Sequence, residues 1–144
     1  DHVARPQLQS ALWQAHAARV EAIDLPYLHA ELTGRDAVAQ LFDGIAPEEQ
    51  PDGLFCGNDQ IARGACDALR ERGISVPGQV AVIGFDNWDV MTEAARPPLT
   101  SVDMNLAALG HEAGRLLLAM IGGDKVSGIR RLPCTLAIRQ STTS

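Results

Sequence analysis

Residues 53–59 read Gly-Leu-Phe-Cys-Gly-Asn-Asp, a short apolar run that ends in two polar side chains. Residues 79–87 have the same arrangement and read Gln-Val-Ala-Val-Ile-Gly-Phe-Asp-Asn. Short strands that are apolar on both sides are typical of a parallel sheet covered by helices. Because ligands of such sheets bind beyond the carboxyl ends of the strands, Asn58 and Asp86 are predicted to face one crevice.

Helices and strands alternate along the rest of the chain. Helices are predicted at 6–19 and 34–42, then one that follows Asn58 or Asp59 and ends at Gly73, and one at 105–121. Strands are predicted at 20–25, 53–57, 79–85, 99–102 and 132–138. Thr33 is predicted to cap the second helix, and Asn58 or Asp59 the third. This order predicts an α/β fold, a three-layer α/β/α sandwich with a mostly parallel sheet. Since the first element is a helix rather than a strand, we expect that the chain was cut out of a longer protein.

The composition narrows the possible functions. The chain has 144 residues, 46% of them hydrophobic, which suits one domain with its own core. Its net charge of −6 does not provide the positive field that a nucleic-acid backbone requires.

The three cysteines form no CxxC pair, which argues against a disulfide framework and a zinc site. We interpret Cys56 and Cys66 as core residues in a reducing cytosol. No apolar run approaches the roughly 20 residues of a membrane span.

The polar groups at the strand ends suggest small-molecule binding. A carboxylate and an amide suit a ligand rich in hydroxyl groups, and Trp88 is a candidate for a pocket wall. Two other interpretations remain open: Asn58 and Asp59 only cap a helix while Asp86 starts a turn, or Asp59 and Asp86 hold a magnesium ion. The sequence contains no GxSxG, P-loop, HExxH or GxGxxG motif, so no cofactor and no catalytic residue is predicted.

Five blocks of the sequence resemble the LacI/GalR family of bacterial transcription regulators. They read FCGNDQIARGA (55–65), RGISVPGQVAVIGFDN (72–87), PPLTSV (97–102), LGHEA (109–113) and LPCTLAIRQST (132–142). The resemblance is close over residues 53–142 and loose over 1–52. It implies a sensor domain that is similar to a periplasmic sugar-binding protein and follows an N-terminal helix-turn-helix.

The resemblance also implies an organisation and partners. Residues 1–144 correspond to most of the C-terminal lobe, and helix 105–121 packs on the N-terminal lobe in the family. The implied protein is a cytoplasmic homodimer, a repressor whose missing helix-turn-helix binds operator DNA, with no membrane contact. Its effector is a small molecule such as a sugar or polyol, which shifts the balance between two arrangements of the lobes.

Particular residues match the effector-binding positions of that family. Asn58 and Asp86 match positions that bind the effector, and Arg5 matches an effector-binding arginine. His29 stands where family members often carry an aromatic residue that stacks on the ligand, and Trp88 is expected to supply an aromatic face instead.

Two alternatives to a regulator are a periplasmic sugar-binding protein of a transporter and a small α/β enzyme. The Val76-Pro77 and Leu99-Thr100 blocks favour the regulator over the transporter protein. An enzyme would need a catalytic pair at the strand ends, and the sequence offers none, so we expect a protein that is not an enzyme.

Overall fold

The computed structural model describes residues 20–23 and 30–143, which form one mixed sheet and four helices. The strands are β1 Val20–Ile23, β2 Gly53–Cys56, β3 Ala81–Phe85, β4 Thr100–Asp103 and β5 Thr135–Ala137, and the helices are α1 Ala30–Phe42, α2 Asp59–Glu71, α3 Asp89–Thr92 and α4 Leu106–Ile121. The strand order is β1-β2-β3-β4-β5, with β1 to β4 parallel and β5 antiparallel to β4. The predicted α/β fold with a mostly parallel sheet is confirmed. No helix among these residues is long and apolar enough to cross a membrane.

The central strands are buried on both faces. On one face, Leu54, Val82 and the neighbouring Leu99 join a single apolar cluster with α1 and α2. On the other, Ile83 and Val102 are also buried, as expected for a sheet with a layer on each side. The predicted helix at 6–19 lies outside the described residues.

Helices α1 and α2 cross at two glycines. A Cβ on Gly34 would overlap the carbonyl oxygen of Ile61, and a Cβ on Gly64 would overlap that of Glu31. Glycine at both positions therefore allows the two backbones to touch. Two bidentate ion pairs flank the crossing, Arg35 with Glu71 and Arg72 with Asp43, each with a shortest distance of 2.7 Å.

The cysteines of the strands and helices are core residues, as predicted. Cys56 and Cys66 are buried free thiols. Burial raises the pKa of Cys56 well above its usual value and raises that of Cys66 to about 12. Both side chains therefore remain protonated at neutral pH and behave as small apolar groups.

The prediction that Thr33 caps the helix at 34–42 was wrong, because that helix begins at Ala30, three residues before Thr33. Helix-forming residues precede Thr33, and the contact of Gly34 with α2 falls in the middle of a continuous helix. The short helix α3 was not predicted at all, since four residues show no periodicity.

The last predicted strand, 132–138, is also shorter than expected, because β5 begins only at Thr135 and the chain leaves the edge of the sheet after Ala137. Ser141 then lies between the starts of β3 and β4. Its hydroxyl donates to the carbonyl of Val82 at 2.6 Å and accepts the amide N–H of Thr100 at 2.8 Å, while its carbonyl accepts the N–H of Val82. These bonds satisfy backbone groups that a neighbouring strand would otherwise pair.

The helix crossing can be tested with a matched pair of glycines. We expect Gly64→Ala to lower the free energy of unfolding by about 1–3 kcal/mol, because the new methyl group forces α1 and α2 apart. A Cβ on Gly114 in α4 would meet nothing, so Gly114→Ala should be neutral or stabilise by up to about 1 kcal/mol. Urea denaturation of both variants measures the difference. Equal effects of the two substitutions would contradict the close crossing.

Candidate functional site

The ends of β2 and β3 lie side by side, as the sequence predicts. Leu54 pairs with Val82 in a parallel register, so Asn58 and Asp86 follow neighbouring strands. Asn58, however, is only 3% exposed, and its amide oxygen caps α2 by accepting the N–H of Ile61 at 2.8 Å. It does not line the cleft that Asp86 lines. Because its side chain is buried and its oxygen already caps α2, a role of Asn58 in ligand binding stays a prediction.

Asp59 has a structural role that neither a helix cap nor a magnesium site describes. Its side chain is buried, and one oxygen accepts the hydroxyl of Ser101 at 2.5 Å while the other accepts the backbone N–H of Trp88 at 2.7 Å. The carboxylate fits closely over Gly84, where any Cβ would overlap it. Burial raises the pKa of Asp59, and the two hydrogen bonds oppose that shift. Both oxygens thus face protein donors rather than an ion.

These bonds fix the shape of the loop at residues 86–88, which follows β3. The N–H of Asp86 donates to the Val102 carbonyl, that of Asn87 to the Ser101 hydroxyl, and that of Trp88 to Asp59. Asp86 and Asn87 have φ values of 104° and 51°. Such conformations are costly for residues other than glycine and persist where the surroundings enforce them, often at ligand sites.

The loop forms one wall of an open cleft of about 550 Å³. The cleft is lined by Asp86, Asn87, Trp88, Asp89, Val90, Met104 and Leu106. The structure therefore brings two of the predicted site residues together, Asp86 and Trp88. The Asp86 side chain is exposed, although partial burial raises its pKa, and Trp88 is 51% exposed. The predicted site residues Arg5 and His29 lie outside the described residues.

Sequence reasoning missed the other five lining residues. Asn87, Asp89 and Val90 are close to Asp86 in the sequence, so proximity could have suggested them. Met104 and Leu106 come from the next strand end, and only the parallel pairing of β3 with β4 brings them near.

A polar link joins the loop to the start of α4. The amide nitrogen of Asn87 donates to Asp103 at 3.2 Å, and the other oxygen of Asp103 accepts the N–H of Asn105 at 2.7 Å. Asn105, with φ of 54°, is the N-cap of α4. This helix has no buried residue over its 16 positions. Its exposed apolar side chains are Leu106, Leu109, Leu117, Leu118, Met120 and Ile121.

Comparisons with known proteins agree with this fold. Residues 5–142 match the family described as periplasmic binding protein-like domain. The HTH-type transcriptional repressor CytR of Escherichia coli (strain K12) is 40% identical over 110 residues, covering 76% of this chain and 31% of that protein. The chain thus spans about a third of the length of this curated relative.

Two solved structures are similar. The transcriptional regulator CelR–cellobiose complex has a TM-score of 0.77 and 27% identity, over 96% of this chain and 51% of that one. The lac repressor dimer bound to operator and the anti-inducer ONPF has a TM-score of 0.81, over 96% of this chain and 49% of that one, and at 22% identity it supports the fold alone.

The chain therefore belongs to the periplasmic binding protein-like domain family. Within this family it is of the LacI type, the class of regulator whose sequence blocks it resembles.

The role of Asp59 can be tested by two substitutions. Asp59→Ala leaves the N–H of Trp88 and the hydroxyl of Ser101 without partners, so we expect the free energy of unfolding to fall by roughly 2–4 kcal/mol. Asp59→Asn keeps one acceptor oxygen and the volume of the side chain, so its effect should be clearly smaller. Chemical denaturation measures both, and an equal loss for the two variants would contradict this account, because Asp59→Asn retains the volume and one acceptor oxygen of the side chain.

Proposed function

We propose that residues 1–144 are the C-terminal lobe of the effector-binding domain of a LacI-family transcription regulator, a repressor in the cytoplasm. The observation that supports this most is the continuity between the cleft and α4. Leu106 lines the cleft and begins a helix that is apolar but uncovered. A helix that is apolar on most sides is normally buried, so a further lobe that covers α4 would also close the cleft.

The cleft gives this lobe one half of a ligand site. Asp86 accepts hydrogen bonds from a small molecule, Trp88 offers a flat apolar face, and Arg5, His29 and Asn58 stay candidate contacts from the predicted set. Sugars and related polyols fit these groups, and the CelR complex contains cellobiose. An effector that prefers one arrangement of the lobes would shift the affinity for operator DNA, which a helix-turn-helix outside this chain would bind in a homodimer.

The alternatives have less support. The curated relatives include two proteins named as repressors, CytR and the sucrose operon repressor, which favours a regulator over a transporter protein. An enzyme would need a nucleophile or a general base at the strand ends, whereas the most buried acid there, Asp59, is held between two donors. We therefore propose binding without catalysis.

The proposal that a further lobe packs on α4 can be tested on the 144-residue chain, in which α4 is uncovered. We expect the 144-residue chain to bind the dye ANS or to self-associate through α4, because each exposed leucine would gain about 1.5–3 kcal/mol on burial. Leu117→Lys should reduce both effects, and the intact regulator that contains both lobes should not bind the dye at α4. Unchanged dye binding and self-association in Leu117→Lys would show that α4 is not the surface responsible.

The ligand site can be tested on the intact regulator. A thermal-shift screen of sugars and purine nucleosides identifies the effector, since a ligand that binds only the folded protein raises the melting temperature. Asp86→Asn should then weaken its binding by about 10- to 100-fold, the loss expected for hydrogen bonds to a charged group. Asp124→Asn makes the same charge change after α4 and serves as the control. Full affinity in Asp86→Asn would exclude this cleft as the site.

A further inference from the structure

The wall of the cleft carries negative charge and no positive charge among the described residues. Asp86 and Asp89 both line it, and no lysine, arginine or histidine of the described ranges does. Asp103 adds a third carboxylate at the border, where it binds Asn87 and the backbone of Asn105.

A basic side chain near α3, that of Arg63, is not part of the lining. Arg63 on α2 lies against α3, where its guanidinium contacts the sulfur of Met91 at 3.7 Å, and neither residue lines the cleft. If Arg5 contributes as predicted, a single positive charge would still face the two carboxylates of the lining.

The same wall has an apolar surface. The indole of Trp88 is 51% exposed beside Asp86, although its backbone is held rigidly by Asp59. Val90 and Met104 extend this surface. Asn87 also lines the cleft, but its amide oxygen is buried and its NH2 group binds Asp103. Two carboxylates beside a flat apolar face favour a ligand that donates hydrogen bonds and has a ring to stack.

We propose that the cleft excludes anionic ligands: Asp86 and Asp89 repel phosphate esters and carboxylic acids, while Trp88 contacts the ring of an uncharged or cationic ligand. This proposal rests on the ligand-binding role proposed above and assigns a specificity role to Asp89. A cleft lined by one sign of charge concentrates ions of the opposite sign and depletes those of its own.

Quenching of Trp88 fluorescence measures this charge without any knowledge of the effector. In the 144-residue chain with Trp13→Phe, Trp88 is the only tryptophan. We expect caesium ions to quench it at least about threefold more efficiently than iodide, after normalisation to free tryptophan amide, because the carboxylates attract the cation. A ratio of one or less would overturn the proposal.

Two variants assign the effect to particular residues. The double substitution Asp86→Asn with Asp89→Asn should bring the normalised ratio close to one. Glu93→Gln combined with Asp124→Asn removes the same two charges outside the lining of the cleft and should leave the ratio high. A high ratio in the double variant would contradict the assignment. If Trp13→Phe does not fold, the variant Trp88→Phe reports the quenching of Trp13 alone. Subtracting its fluorescence from that of the unaltered chain gives the signal of Trp88.

Matched ligand pairs test the consequence for specificity in the intact regulator. Thermal shifts with glucose and glucose 6-phosphate, and with adenosine and its 5′-monophosphate, compare each parent compound with its phosphate ester. For a pair that binds, we expect the ester to bind at least about tenfold more weakly, and Asp89→Asn to narrow that difference. Tighter binding of an ester would overturn the proposal. If no small molecule binds, the proposed function fails, and the quenching ratio still decides the charge of the cleft.

Discussion

The arrangement of the site depends on one buried carboxylate. Asp59 begins α2, directly after β2, and its two oxygens hold Ser101 in β4 and the backbone of Trp88 after β3. A single side chain thus ties together the ends of three parallel strands. Hydrogen bonds to a buried charged group are stronger than ordinary ones, and their loss leaves buried donors unpaired. The positive φ values of Asp86 and Asn87 persist because this tie fixes the loop that contains them.

The local features of the chain could be predicted from its sequence. The apolar runs of β2 and β3 and the cap at Asn58 depend on neighbouring residues only, and the parallel order of the strands follows from their alternation with helices. The features that were missed depend on distant contacts. The sequence predicts Thr33 as a helix cap, but Thr33 and Gly34 both lie inside a helix that starts at Ala30, where Gly34 packs on α2. Nothing near Ser141 in the sequence indicates that it completes the hydrogen bonding of Val82 and Thr100.

The distinction between features set by neighbouring residues and features set by distant contacts also applies to the site. Asn58 and Asp59 are adjacent polar residues with nearly the same sequence signal, yet one caps a helix and the other anchors a loop, because only Asp59 lies over Gly84. Trp88 was predicted as a wall because of its position next to Asp86, and it does line the cleft. Leu106 and the uncovered helix that it begins connect this cleft to the surface where we propose that a further lobe packs.

Amide hydrogen exchange at Trp88 tests the central role of Asp59 most directly. The backbone N–H of Trp88 bonds to a buried carboxylate although its side chain is half exposed, so we predict slow exchange, comparable with that of the strand residue Ile83. In Asp59→Ala, which removes the acceptor of this N–H, the exchange at Trp88 should accelerate more than that at Ile83. Exchange at Trp88 that is as fast as in an exposed loop, or that is unaffected by the substitution, would contradict the account.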